Sequence, residues 1–209
     1  MIACLPPPPR IAPPERSVER DVLLRASLPH VPRLGWSMAA LRAGAVARGE
    51  PPELVESLFP SGVPGALEAW CDLADREMAE ATDLAGLRTP QRIRALIATR
   101  LRLARPDKEA VRLALARQAL PWNARLAART LARSVSAIWE AAGDRSDDLS
   151  WYTRRATLAG LYGSVLTYWM GDPSEDDAAT LAFLDRQLAR LARLQKPRPG
   201  PGRIGGRVG

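Results

Sequence analysis

Histidine and cysteine are nearly missing from this chain of 209 residues, which has one histidine, His30, and two cysteines, Cys4 and Cys71. A transition-metal site draws on several such side chains at helical or turn spacing, and the sequence holds no CxxC, HxxxH or ExxH. His30 stands between two prolines in SLPHVP, where a structural hydrogen-bonding role is expected. One cysteine in a proline-rich leader and one in a helical pattern make no disulfide framework, which points to a reduced, intracellular setting. No Walker loop, GxGxxG after a strand, or GxSxG occurs either. The reading is therefore of a protein that is not an enzyme and carries no cofactor or metal.

Long apolar runs are also lacking. The longest, Ala156 to Met170, is interrupted by Gly, Ser and Thr, and a membrane span needs roughly 20 predominantly apolar residues. The opening MIACLPPPPRIAPPERS has neither the apolar core of a signal peptide nor the Arg-rich amphipathic helix of a transit peptide, so a cytoplasmic, at most peripheral, protein is expected. The formal charge is +7, of which Lys196, Arg198, Arg203 and Arg207 supply four and leave +3 for everything before them. So mild a balance is no argument for nucleic acid.

What the chain has in abundance is Arg, Ala and Leu, all good helix formers, with no convincing period-2 strand. Residues 1–15 read as a disordered, polyproline-like leader, and 197–209 as a disordered basic tail. A first helix is expected from Ser17 to Leu28, stopped by Pro29, followed by an HVPRLG linker. Ser37 caps a second helix that closes at Gly49, and a third, short one starts at Pro51–Pro52. Residues 16–61 thus resemble a helix-turn-helix head. Residues 62–196 form a bundle of longer helices at about Val63–Ala85, Pro90–Arg105, Lys108–Leu120, Ala124–Ala142, Trp151–Met170 and Ser174–Gln195, with prolines at the breaks. About nine helices with a small three-helix head suggest an all-α, TetR-like architecture.

A helix-turn-helix raises the question of DNA. The second helix of the unit, in EPPELVESLF, carries Glu50, Glu53 and Glu56 and no Lys or Arg. Attraction between cations and phosphates supplies most of the affinity for DNA, so these acids argue against nucleic acid as a partner. Glu175, Asp176 and Asp177 follow Ser174 at the start of the last helix and favour its dipole. Asp144, Asp147 and Asp148 form a polar loop without an EF-hand pattern.

The segment Trp151–Met170 is apolar or small on nearly every face from Ala156 onward, which predicts burial on all sides, in the core or at a dimer interface. Ala156, Gly160 and Ser164 recur every four positions and permit close helix approach. Leu158, Leu161, Tyr162, Val165, Leu166 and Trp169 are the candidate lining of an apolar ligand cavity. Trp151 and Tyr152, beside the acidic loop, are a candidate partner hot spot, because neighbours about 100° apart on a helix cannot both be fully buried. In the last helix a leucine stripe flanked by Arg186, Arg190 and Arg193 reads as a solvated surface helix or dimer element.

The stretches DVLLRASLPHVPRLGWSMAALRAGA, LFPSG, KEAVRLALA, AIWEAAGDRSDDLSWYTRRATLAGLY and EDDAATLAFLDRQL together resemble the ubiquinone-biosynthesis accessory family usually called Coq-nine, over residues 18–195. WYTRRATLAGLY and AIWEAAGD are the most specific parts. The resemblance implies a TetR-like homodimer that has abandoned DNA. It implies an apolar cavity for isoprenoid lipid or phospholipid, and presentation of quinone intermediates to the demethoxyubiquinone hydroxylase, which performs the chemistry. The family's partner-facing Asp-x-x-Trp-Tyr motif corresponds to Asp148, Trp151 and Tyr152. Well-studied eukaryotic members carry a further amphipathic helix that reaches the membrane, whereas this sequence has RPGPGRIGGRVG there. Weak contact with the inner-membrane surface is accordingly expected from the basic tail or the last helix, at about 1 kcal/mol per cation. The rival reading is a ligand-responsive TetR-type transcription regulator.

Overall fold

The computed structural model describes residues 12–144 and 149–194. The first eleven residues of the leader, the C-terminal tail, Gln195, Asp147 and Asp148 lie outside the described residues. Ten α-helices and four 3-10 turns occupy them, and no strand occurs among them.

The head begins with α1, Val18–Ser27, where the Ser17 hydroxyl accepts from the Arg20 amide. The HVPRLG stretch is not a linker. A 3-10 turn, Leu28–His30, and α2, Val31–Leu34, continue the helical path. Pro29 and Pro32 fall in the first turns of these short elements, where a missing N–H costs no hydrogen bond. The path stops at Gly35, whose φ of 65° suits glycine. Next come α3, Met38–Ala47, capped by Ser37, and α4, Leu54–Leu58. The remaining helices are α5 (Gly62–Ala81), α6 (Thr89–Ala104), α7 (Lys108–Gln118), α8 (Ala124–Ala141), α9 (Leu149–Met170) and α10 (Ala178–Leu194). Ser174 does not open α10 directly. A 3-10 turn, Glu175–Asp177, intervenes, with Asp176 and Asp177 at φ 56° and 55°. Their carboxylates pair with Arg105 just beyond α6, at 2.6 and 3.2 Å, and so tie the start of α10 to the end of α6. Asp172 accepts from the Ser174 and Thr180 amides at 2.8 and 2.7 Å. Burial works against its charge, but these hydrogen bonds outweigh it and hold the carboxyl well below the usual range.

Two hydrophobic cores result. The first joins α1 to α4 with the N-terminal half of α5, with Ala110 and Ala114 of α7 and with Leu126 at the start of α8. Trp36 is 4% exposed there and donates its indole N–H to the Ala110 carbonyl at 2.9 Å. α1 and α3 cross so closely that a Cβ on Gly44 would lie 2.3 Å from Ser27 Oγ and 2.9 Å from Ser27 Cα. The second core takes Met78 of α5 with the inner faces of α6, α8, α9 and α10. Helix α5 runs through both and positions the site described next.

Candidate functional site

Along α8, alanines recur where a helix packed into a core would carry larger side chains: Ala128, Ala132, Ala137 and Ala141. Ala79 of α5 and Ala156 and Ala159 of α9 face the same space. Methyl groups on three neighbouring helices leave room between them, and an open groove of about 790 Å³ results. That volume lies in the range of pockets that hold small ligands. Leu131 and Val135 add to its apolar wall, and Trp151 and Tyr152 form part of its α9 side. Pro13 and Arg16, ahead of α1, border it too, held in place by Arg133, whose Nη2 donates to the Ala12 carbonyl at 2.9 Å.

Of the charged side chains on the groove, Asp72, Asp75, Arg76, Arg133 and Arg155 are engaged in ion pairs. Arg76 donates to both carboxylate oxygens of Asp21 at 2.8 and 2.9 Å and to Asp72 at 2.9 Å. Arg133 pairs with Glu68 at 2.9 Å, although its Nε is buried without a partner among the described residues. Arg155 lies 3.9 Å from the centre of the Trp151 ring and reaches Asp144, and Trp151 and Tyr152 meet edge to face at 5.2 Å. Beneath the groove, Asp75 is 6% exposed and accepts from Arg100 at 2.7 Å and from Ser134 at 3.0 Å. Burial pushes its carboxyl up to about 6, with Arg100 opposing the rise. The Cys71 thiol is pushed up to about 12, also by burial, which makes it a poor nucleophile. No cluster of three or more His, Cys, Asp and Glu suited to a metal occurs among the described residues. The groove's wall is largely methyl groups and aromatic rings with charged side chains at its border, a lining that favours apolar contact.

The structure separates the residues singled out in the sequence. Leu158, Leu161, Tyr162, Val165 and Trp169 are buried in the second core and Leu166 packs against it; none of the six borders the groove. Trp151 and Tyr152 do border it, and Asp148 lies outside the described residues. Helix α9 is not buried all round: Ala156, Gly160, Ser164, Thr167 and Tyr168 are exposed along one side. Thr167 and Ser164 turn their hydroxyls into their own helix, onto the Gly163 and Leu161 carbonyls, so this side presents little polarity to a neighbour. The alanines of α8 escaped the sequence reading, although Ala128 and Ala132, one turn apart beside Leu131 and Val135, were a readable signal. In the head, Glu56 pairs with Arg42 and Glu50 with Arg48, so two of the three acids of the would-be reading helix are locally neutralised. That helix, α4, has five residues.

The fold is that of TetR regulators. It matches the TetR transcriptional regulator from Nitrosomonas europaea ATCC 19718 with a TM-score of 0.67, over 85% of this chain and 99% of that one, at 22% sequence identity. Residues 124–195, which hold the α8 and α9 walls of the groove, match the family COQ9. The mitochondrial ubiquinone biosynthesis protein COQ9 of Rattus norvegicus is 30% identical over 87% of this chain and 64% of its own length. The Homo sapiens protein of that name is 32% identical over 79% of this chain and 55% of its own, and the Drosophila melanogaster one 30% identical over 84% and 56%. The chain is a homologue of the COQ9 proteins, and it spans somewhat over half the length of these relatives. No described helix is long and apolar enough to cross a membrane.

Proposed function

We propose that this chain is a non-enzymatic accessory protein of ubiquinone biosynthesis that holds an isoprenoid lipid or phospholipid and presents quinone intermediates to the demethoxyubiquinone hydroxylase. The observation that carries the reading is the groove of about 790 Å³ lined by alanines of α5, α8 and α9. It is combined with kinship to proteins named for ubiquinone biosynthesis. The lipid sits in the groove, and the six residues first considered for it, Leu158 to Trp169, act from behind as the packed core that sets the wall. Trp151 and Tyr152, which border the groove, are the corner that meets the hydroxylase on this reading, beside the mouth of the lipid site.

Native mass spectrometry of the purified protein should find bound isoprenoid or phospholipid, and Ala156→Trp, a groove-filling change at an exposed position, should empty it. A protein that is repeatedly empty and ignores added quinone would sink the reading. Tyr152→Ala should weaken capture of the hydroxylase at least tenfold with the helical signal unchanged; undiminished capture would remove the corner from the interface. In the cell, disruption of the gene should make demethoxyubiquinone accumulate.

The exposed side of α9 supports a homodimer. A Cβ on Gly160 or Gly163 would meet no atom within 4 Å, and Tyr168 stacks on Phe183 of α10 at 4.6 Å with an interplanar angle of 2°. Two such flat, small-residue sides permit close helix approach. Sedimentation should give twice the monomer mass. The TetR-like fold keeps a DNA-binding regulator as the second reading. A five-residue α4 without a cation disfavours it, and an absence of mobility shift with genomic fragments at low salt would dispose of it.

A further inference from the structure

Trp122 is 76% exposed, the most exposed large hydrophobic side chain among the described residues, and Leu120, at 37%, lies beside it on the turn between α7 and α8. The turn is rigid. Residues Pro121–Asn123 form a 3-10 turn in which the Asn123 amide donates to the Leu120 carbonyl and its side-chain nitrogen to the Arg117 carbonyl, both at 2.8 Å. A tryptophan held outward by a hydrogen-bonded turn is poorly explained by solvation, because its N–H can donate to water but most of the ring is apolar surface left in water.

The charge around it is of one sign. From Ala110 to Trp139 the sequence has five arginines and no Asp or Glu. Three of those arginines are matched by acids elsewhere, Arg112 by Glu109, and Arg129 and Arg133 by Glu68 of α5. Arg117 is half-buried and turned inward, its Nη1 donating to the Trp36 carbonyl at 3.4 Å. Arg125, on the other side of the tryptophan, is exposed and forms no ion pair among the described residues, and Arg33 of α2, which packs against α7, is also exposed.

We infer that the Leu120–Asn123 turn is a membrane-docking tip, with Trp122 and Leu120 entering the headgroup layer of an anionic phospholipid surface and the exposed Arg125 facing its phosphates. An amphipathic aromatic ring beside a cation is the combination that interfacial anchors use, and neither half suffices for lasting attachment alone. The first groove residue on α8, Ala128, lies six residues beyond Trp122, about 9 Å along the helix axis. A docked tip therefore brings one end of the groove toward the lipid surface. This gives the weak membrane contact expected from the sequence a different place from the basic tail or the last helix, and the docking stands on the turn's exposure and charge rather than on the proposed lipid site.

The test uses the full chain and vesicles of phosphatidylcholine with or without phosphatidylglycerol. The protein should sediment with the anionic vesicles, release as salt is raised, and ignore vesicles of phosphatidylcholine alone. Trp122→Ala and Arg125→Glu should each weaken binding about tenfold with unchanged circular dichroism, since both side chains are exposed. Lipids brominated near the headgroup should quench part of the native fluorescence, and Trp122→Phe should abolish that part. Native-strength binding by both substituted proteins, or quenching that survives Trp122→Phe, would overturn this surface and leave peripheral binding to another one. A native protein that binds no vesicle would overturn both the tip and the peripheral reading.

Discussion

The two cores of this molecule solve the same packing problem in opposite ways. In the head, buried side chains close short hydrogen bonds onto the backbone: Trp36 to the Ala110 carbonyl at 2.9 Å, and Ser27 Oγ to the Leu23 carbonyl at 2.7 Å. Gly44 has no room even for a methyl group there. The bundle keeps a buried charged pair, Asp75 and Arg100, and beside it a groove whose wall residues are small. A close-packed core resists any change of volume, whereas an unfilled one can admit a ligand. The head therefore reads as structure, and the bundle as the part that does something.

Arg100→Met should break the comparison most severely. It strands a buried carboxylate and should cost about 3–5 kcal/mol at pH 8 in urea unfolding. Asp75 titrates near 6 when folded, against an ordinary 3.8, so the folded chain holds a proton that the unfolded chain releases. Its contribution to stability therefore falls as pH rises from about 4 to about 6. Without Arg100 the carboxyl rises further and escapes its penalty by protonation, so the deficit should be clearly smaller at pH 5. An equal deficit at both pH values would show that Asp75 is not the stranded charge. Gly44→Ala comes next. Its methyl would press on the Ser27 backbone, and a loss of about 2 kcal/mol is expected even after the gain in helix propensity. Ala132→Leu, in the groove wall, should have the smallest effect, within about 0.5 kcal/mol, because the added atoms enter open space. A cost like that of Gly44→Ala would mean that the groove is closed in solution and that the two cores do not differ.

Much of the fold was legible in the residues because prolines and caps mark most helix ends locally: Ser17 and Ser37 cap as expected, and α8 starts at Ala124 as expected. The stretch after Pro29 was misread because a proline that ends one helix also suits the first turn of the next. The groove was illegible for a different reason. Apolar content marks what is buried, so the large residues of α9 drew the reading toward a ligand site, and they proved to be core. A cavity is made by the side chains that are too small, and its outline depends on three helices that are distant in sequence. Trp151 and Tyr152 are half-buried and exposed, respectively, at the groove's border, as expected of two adjacent aromatics that cannot share one face of a helix.

The alanines on α8 also give the proposed site a scale of lengths. Ala128 and Ala132 stand on one face, one turn and about 6 Å apart along the axis, so the wall can be raised at either height separately. On the lipid reading proposed above, enlarging one of them would shorten the trough from that point on and exclude longer chains while still admitting shorter ones. On that reading, two proteins of this fold that take chains of different length need differ by little more than the position at which a methyl group has grown.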